Sequence, residues 1–150
     1  MKVTYIYHSG FLVELENASF LFDYYKGDIP NINPNLPLYV FSSHSHGDHF
    51  SKDIFNLADI YPKVTFILSS DIKEDLSNKK SLESISDSLV KYKDKVYFID
   101  PNEKKLFFDG NPTSEATEMN SHKYLKVEAL TSTDKGVAFV LSTGGKIIFH

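Results

Sequence analysis

Leu38-Tyr39-Val40-Phe41-Ser42-Ser43-His44-Ser45-His46-Gly47-Asp48-His49 joins an apolar run to a hexamer holding three of the chain's 6 histidines and an aspartate. Imidazole and carboxylate suit Zn²⁺ and related transition metals. In an extended segment the side chains at i and i+2 share a face, so His44 and His46 can point at one ion. Gly47 permits a sharp turn at little steric cost. Beyond that turn, Asp48 and His49 can reach a second ion. Two ions about 3.5–4 Å apart can clamp and ionise a water near neutral pH, and can polarise a carbonyl or phosphoryl oxygen. Asp48 is then both a ligand and a candidate proton acceptor. Two blander readings compete. A His-rich surface loop needs much solvent around it, and a purely structural zinc site usually includes cysteine.

Outward from the hexamer, Leu38 to Phe41 has the continuous apolar character of a strand buried on both faces. Ser51 reads as a helix N-cap, with Ile54, Leu57 and Ala58 at helical spacing and Pro62 as the stop. Val64 to Leu68 is a second buried-type strand. Ser69 to Leu76 and Ser81 to Val90 read as helices, and Val96 to Ile99 and Lys105 to Asp109 as strands. Toward the N-terminus, Val3 to Tyr7, Phe11 to Glu16 and Ser19 to Asp23 are strands, the last two joined at Asn17-Ala18. Asp23 closes its strand. It reads equally as a turn-initiating residue and as a carboxylate supporting a nearby site.

Residues 27 to 37 form an irregular loop around Gly27, Pro30, Pro34 and Pro37. The strand, helix, strand, helix, strand order after them implies an α/β arrangement with sites at the carboxyl ends of strands. Residues 111 to 121 read as a polar loop. Tyr124 to Leu130 and Gly136 to Leu141 are strands, and a turn at Ser142-Thr143-Gly144-Gly145 leads into Lys146 to Phe149.

A chain of 150 residues corresponds to about one domain with a real core. The 12 Phe and 9 Tyr make that core aromatic-rich, and the absence of Cys excludes disulfides and thiolate metal sites. A protein without cysteine fits a reducing compartment, and no window approaches the roughly 18 apolar residues of a membrane span, so a cytoplasmic protein is expected. The net charge of −4 argues against nucleic-acid and anionic-lipid partners. Lys73, Lys79, Lys80, Lys91, Lys93 and Lys95 are interleaved with acids and read as a solvated mixed-charge face.

His44-x-His46-x-Asp48-His49 after a buried strand resembles the first metal motif of the metallo-β-lactamase-fold hydrolases. Tyr7-His8-Ser9-Gly10-Phe11-Leu12-Val13-Glu14, followed by Phe20-Leu21-Phe22-Asp23, is similar to the N-terminal hairpin strands of that family. The likeness runs from Val3 to His150 and is greater to the compact bacterial, lactonase-like branch than to the true β-lactamases. It implies an αββα sandwich, incomplete here: the first sheet with its helices plus the start of the second. It implies a one- or two-metal site with His44 and His46 on the first ion, Asp48 and His49 on the second, and Asp23 behind them orienting a ligand. Where the family has a third histidine for the first ion, this sequence reads Leu130-Thr131-Ser132-Thr133-Asp134-Lys135-Gly136. Asp134 is either the substitute ligand or a turn residue, and His122 is a weaker candidate. The family then continues through a Gly-Asp motif to a last histidine. This sequence stops at His150, which implies residues 1–150 are the N-terminal portion of a longer protein, a single truncated domain.

The expectation is a hydrolase acting on a small ester, lactone or phosphoester. It would use one or two Zn ions, with Mn or Fe as alternatives, and Asp48 as the catalytic group. The rival expectation is a catalytically inactive metal-binding half-domain, completed by a second copy in a homodimer or by a partner chain.

Overall fold

The computed structural model describes residues 1–78, 90–114, 123–133 and 135–150. The helix expected over 81–90, apart from Val90, lies outside the described residues, as do the candidate ligands Asp134 and His122.

Among the described residues, eleven strands form two sheets. The first runs in the order β1 (Lys2–Tyr7), β2 (Gly10–Glu14), β3 (Ser19–Phe22), β4 (Leu38–Ser42), β5 (Val64–Ser69) and β6 (Val96–Ile99). Its first three strands pair antiparallel, and β3 to β6 pair parallel. The second sheet has the order β11 (Lys146–Phe149), β10 (Val137–Thr143), β9 (Tyr124–Thr131), β7 (Lys104–Phe108) and β8 (Asn111–Pro112), all antiparallel. β8 falls in the stretch expected to be loop. It is two residues paired to β7, too short to leave an alternating pattern in sequence.

The run 38–41 and its neighbour 64–68 behave as their composition demands. Every residue of β4 and β5 is buried, because the parallel sheet is covered on both faces. On one face Leu12, Leu21, Val40 and Phe66 pack against Ile54, Phe55, Leu57 and Ile72. These come from a short 3₁₀ turn, Lys52–Asn56, and the helices α1 (Leu57–Ile60) and α2 (Ser70–Asn78). The Ser51 hydroxyl caps the turn by accepting from the Asp53 N–H at 3.2 Å. On the other face Phe22, Phe41 and Ile67 meet Phe107, Val127, Phe139 and Leu141 of the second sheet. Phe41 and Phe139 touch edge-on across the layers at 5.0 Å. Most of the largest fully buried side chains are phenylalanines, and each contributes about 1.5–3 kcal/mol by leaving water.

Three layers of the expected αββα sandwich are thus present. The outer face of the second sheet carries Leu130, Ile147 and Phe149 exposed, and no helix packs there among the described residues. The second sheet is also fuller than a bare beginning, with five strands. No helix of the described residues is long and apolar enough to cross a membrane.

Register aligns the strand ends. Phe22 pairs with Phe41, and Ser42 with Leu68. The residues following β3, β4 and β5 therefore emerge together at one edge of the sheet, and all the chemistry of the chain gathers there.

Candidate metal centre

Asp23 leaves β3 with φ +42°, a left-handed conformation that aspartate tolerates better than most residues. The turn places its carboxylate under the hexamer, 1% exposed. Oδ1 accepts the Ser43 N–H at 2.7 Å and Oδ2 accepts the Ser43 hydroxyl at 2.7 Å. Oδ2 also meets His49 Nδ1 at 2.7 Å and His150 Nε2 at 3.0 Å. Four donors therefore converge on one buried carboxylate. This is the supporting role expected of Asp23, and the turn-residue reading describes only its backbone.

The hydrogen bonds also set the tautomers. The single proton of Ser43 Oγ goes to Asp23, so Ser43 Oγ accepts from His44 Nδ1 at 3.0 Å. His49 Nδ1 likewise donates to Asp23. Both rings are left with Nε2 as a free lone pair, the form in which a histidine ligates a metal while a carboxylate or hydroxyl holds its other nitrogen.

The hexamer is compact. The rings of His44 and His46 lie edge-on with centroids 4.7 Å apart, and those of His44 and His49 are tilted at 39° with centroids 3.9 Å apart. The chain turns there by two backbone bonds, His49 N–H and Phe50 N–H to the His46 carbonyl, at 3.0 and 2.9 Å. Gly47 is not what permits the turn. It is not among the residues of positive φ, and a Cβ on it would meet nothing within 4 Å. The segment lies beyond β4, so a turn rather than strand alternation brings His44 and His46 together.

Asp48 Oδ2 stands 3.8 Å from His49 Nε2 and 3.1 Å from His8 Nε2. Ligands bound at about 2.1 Å share an ion only within about 4.2 Å of each other, so the Asp48–His49 separation suits one cation. Among the described residues no three His, Asp or Glu side chains are grouped closely enough to hold a metal ion. The donor chemistry, the tautomers and the Asp48–His49 pair fit a transition metal; a third donor converging with them is not described.

Three contributors carried no individual signal in the sequence. Asp71, in the first turn of α2, accepts the Ser45 N–H at 2.9 Å through Oδ2, while its Oδ1 is buried without a partner. Lys135 Nζ donates to Ser45 Oγ at 3.1 Å and stands 3.9 Å from Asp71. His150 reaches Asp23 because its N–H and carbonyl pair with Phe139, extending the β10–β11 ladder by a residue. Position alone could have pointed to His150, which like Asp23 is an ionisable residue directly after an apolar strand, whereas Asp71 follows its strand only after Ser70.

Burial pushes the Asp23 carboxyl up, but the hydrogen bond and charge of His150, with the bonds from His49 and Ser43, hold it below its ordinary 3.8. Burial, then the neighbouring His49, holds the His44 imidazole below its ordinary 6.5, against an opposing pull from Asp23. Both groups therefore bind fewer protons in the folded than in the unfolded chain, and stability is lost as the pH is lowered. The His44 contribution is whole above pH 6.5 and is lost as the pH drops through its folded value. The Asp23 contribution is whole above pH 3.8 and is lost below that. The urea midpoint of the metal-free protein is expected to fall in these two stages, and His44→Gln is expected to remove the upper one. A midpoint that stays level between pH 7 and pH 5 in the unsubstituted protein would contradict the His44 assignment.

No family model matches the chain. Over 58 residues, 36% of this chain and 26% of the relative, it is 40% identical to a UPF0173 metal-dependent hydrolase of Carboxydothermus hydrogenoformans. Over 98% of its length it resembles 29% of a mutant CmlA β-hydroxylase structure, at TM-score 0.53 and 14% identity. Over 93% it resembles 39% of a protein of unknown function from Enterococcus faecalis V583, at TM-score 0.50 and 16% identity. At such identities the structural likeness speaks to the fold alone. The chain spans well under half the length of each of these proteins. The fold class is α/β, a two-sheet sandwich of the metallo-β-lactamase-like type, and the sequence kinship is to a metal-dependent hydrolase.

Proposed function

We propose that the chain carries the metal-holding part of a hydrolase acting on an ester, lactone or phosphoester. The observation that supports it most is the Asp23–Ser43 network, which engages His44 and His49 through Nδ1 and leaves Nε2 of both out of it, that of His49 3.8 Å from Asp48. In this reading His44 and His46 hold one ion, Asp48 and His49 a second, and Asp134 is the further ligand for the first. When bound, a divalent ion supplies a water acidic enough to ionise near neutral pH and a charge that polarises the substrate oxygen. The chain's own groups do the rest. Asp23 and Ser43 fix the imidazoles, Asp48 orients the attacking water or takes its proton, and Asp71 with Lys135 pins the loop at Ser45. Zinc is the first choice for nitrogen and oxygen donors, with Mn or Fe as alternatives. The net charge of −4, which gives no general attraction to nucleic acid, supports a small-molecule substrate, and the cysteine-free composition supports a cytoplasmic setting.

The test is elemental analysis after reconstitution. The protein is expected to retain zinc, manganese or iron, and His46→Ala is expected to lose at least one ion per chain. A chain that holds no metal after reconstitution sinks the reading.

One observation favours the second reading, a half-domain without activity that is completed by another copy or by a partner chain. An open cleft of about 310 Å³ between the two sheets is lined by Val3, Phe11, Val13, Phe22 and Ile148. It sits beside the edge strands β1 and β11, whose Tyr5, Ile147 and Phe149 are exposed. Native mass together with hydrolysis assays separates the two: a monomer with turnover removes the second.

A further inference from the structure

We propose that His8 is a positioning residue of the candidate metal centre, holding the Asp48 carboxylate in the orientation in which it can share an ion with His49. The proposal rests on the metal-dependent reading above.

His8 sits in the turn between β1 and β2 with φ +50°. A non-glycine residue persists there only when its surroundings over-determine it, and such outliers gather at functional sites. The surroundings here are specific. The His8 N–H donates to the Tyr5 hydroxyl at 2.9 Å, and the ring stands edge-on to Tyr25 at 6.3 Å. Nε2 then reaches Asp48 Oδ2 at 3.1 Å, with the His49 ring 6.2 Å away. The next residue grips the same target, since Ser9 Oγ donates to the Asp48 carbonyl at 2.6 Å. One turn thus holds both the side chain and the backbone of a residue 40 positions later.

Asp48 needs that hold. It follows Gly47, around which there is open space, and its side chain is 47% exposed. Among the described residues, only His8 stands within hydrogen-bond distance of its carboxylate; His49 Nε2 is at 3.8 Å. A loose carboxylate is a poor ligand, and losing a partner that orients a ligand costs about ten- to hundredfold in metal affinity. Stability does not account for His8, because an exposed polar contact contributes little and the left-handed backbone works against it. Orientation of Asp48 accounts for both the strain and the contacts.

The experiment titrates Co²⁺ and Zn²⁺ into metal-free protein against a chromophoric chelator and records the visible Co²⁺ spectrum. His8→Ala and His8→Gly are expected to weaken one ion by about ten- to hundredfold and to alter that spectrum. His8→Gln, whose amide can place an N–H near the position of Nε2, is expected to recover most of both. The metal-free Gly variant is expected to melt no lower than the unsubstituted protein, since glycine relieves the strain. A merely structural role predicts the opposite pair of results for that variant. Folded His8→Ala and His8→Gly proteins with unchanged affinity and spectrum overturn the proposal alone. Unsubstituted protein that takes up neither metal overturns the metal-dependent reading, and the proposal with it.

Discussion

Gly136→Ala is expected to destabilise the protein by about 3–5 kcal/mol and to abolish metal retention. Gly136 has φ +80°, and a Cβ there would lie 2.1 Å from the Ser43 carbonyl and 2.6 Å from His44 Cβ. The left-handed backbone alone costs an alanine about 1–2 kcal/mol. Forcing a methyl into packed backbone adds about 1–3 kcal/mol, because the Ser43 carbonyl and the His44 Cα and Cβ cannot rotate away. The Val137 N–H bond to Ser43, 2.9 Å long, would have to give first. That bond ties the start of β10 to the residue before His44, so the substitution separates the two sheets at the site itself. Urea unfolding and zinc stoichiometry measure the two effects. An alanine variant with the unsubstituted midpoint would show that β10 is not seated on Ser43.

Asp23→Ala is expected to cost about 3–5 kcal/mol, the range for removing one partner of a buried charged network. It strands the Ser43 N–H, the Ser43 hydroxyl and the rings of His49 and His150, all of which donate to this carboxylate. Each stranded donor loses about 1–3 kcal/mol, partly recovered by water that reaches the rings. Since domains hold only about 5–15 kcal/mol in total, the variant is expected to be close to unfolding at ambient temperature. Asp23→Asn keeps one acceptor and is expected to fold, but with His49 no longer held by a charge and with metal affinity down about ten- to hundredfold. Thermal melts of both variants, with chelator titration of the Asn form, check this. An Asn form that matches the unsubstituted affinity would mean that Asp23 serves the fold and not the site.

Much of this architecture is legible in residue order. The unbroken apolar runs 38–41 and 64–68 can only be strands covered on both faces, and they are. Ser51 announces its helical segment because a hydroxyl there satisfies a free N–H, although the first turn tightens to 3₁₀. The pair Gly144-Gly145 marks a two-residue turn because both positions need positive φ, and both have it. What is not legible is whatever depends on register. Asp71 of α2 and Lys135, just before β10, meet at Ser45 from distant parts of the chain. Gly136 reads as the first residue of a strand, while its role is to let two backbones touch.

The sequence by itself determined the donor set and where on the chain it stands: His44, His46, Asp48 and His49, directly after a buried strand. This is local information, carried by residue type and spacing. Only the tertiary structure decided how those donors are held. The parallel register of β3, β4 and β5 brings Asp23 beneath Ser43, sets the tautomers of His44 and His49, and carries His150 to the same carboxylate from the second sheet. The β1–β2 turn reaches Asp48 in the same way. Such contacts join residues 20 to 127 positions apart. No local spacing encodes them; the close packing of the two sheets does.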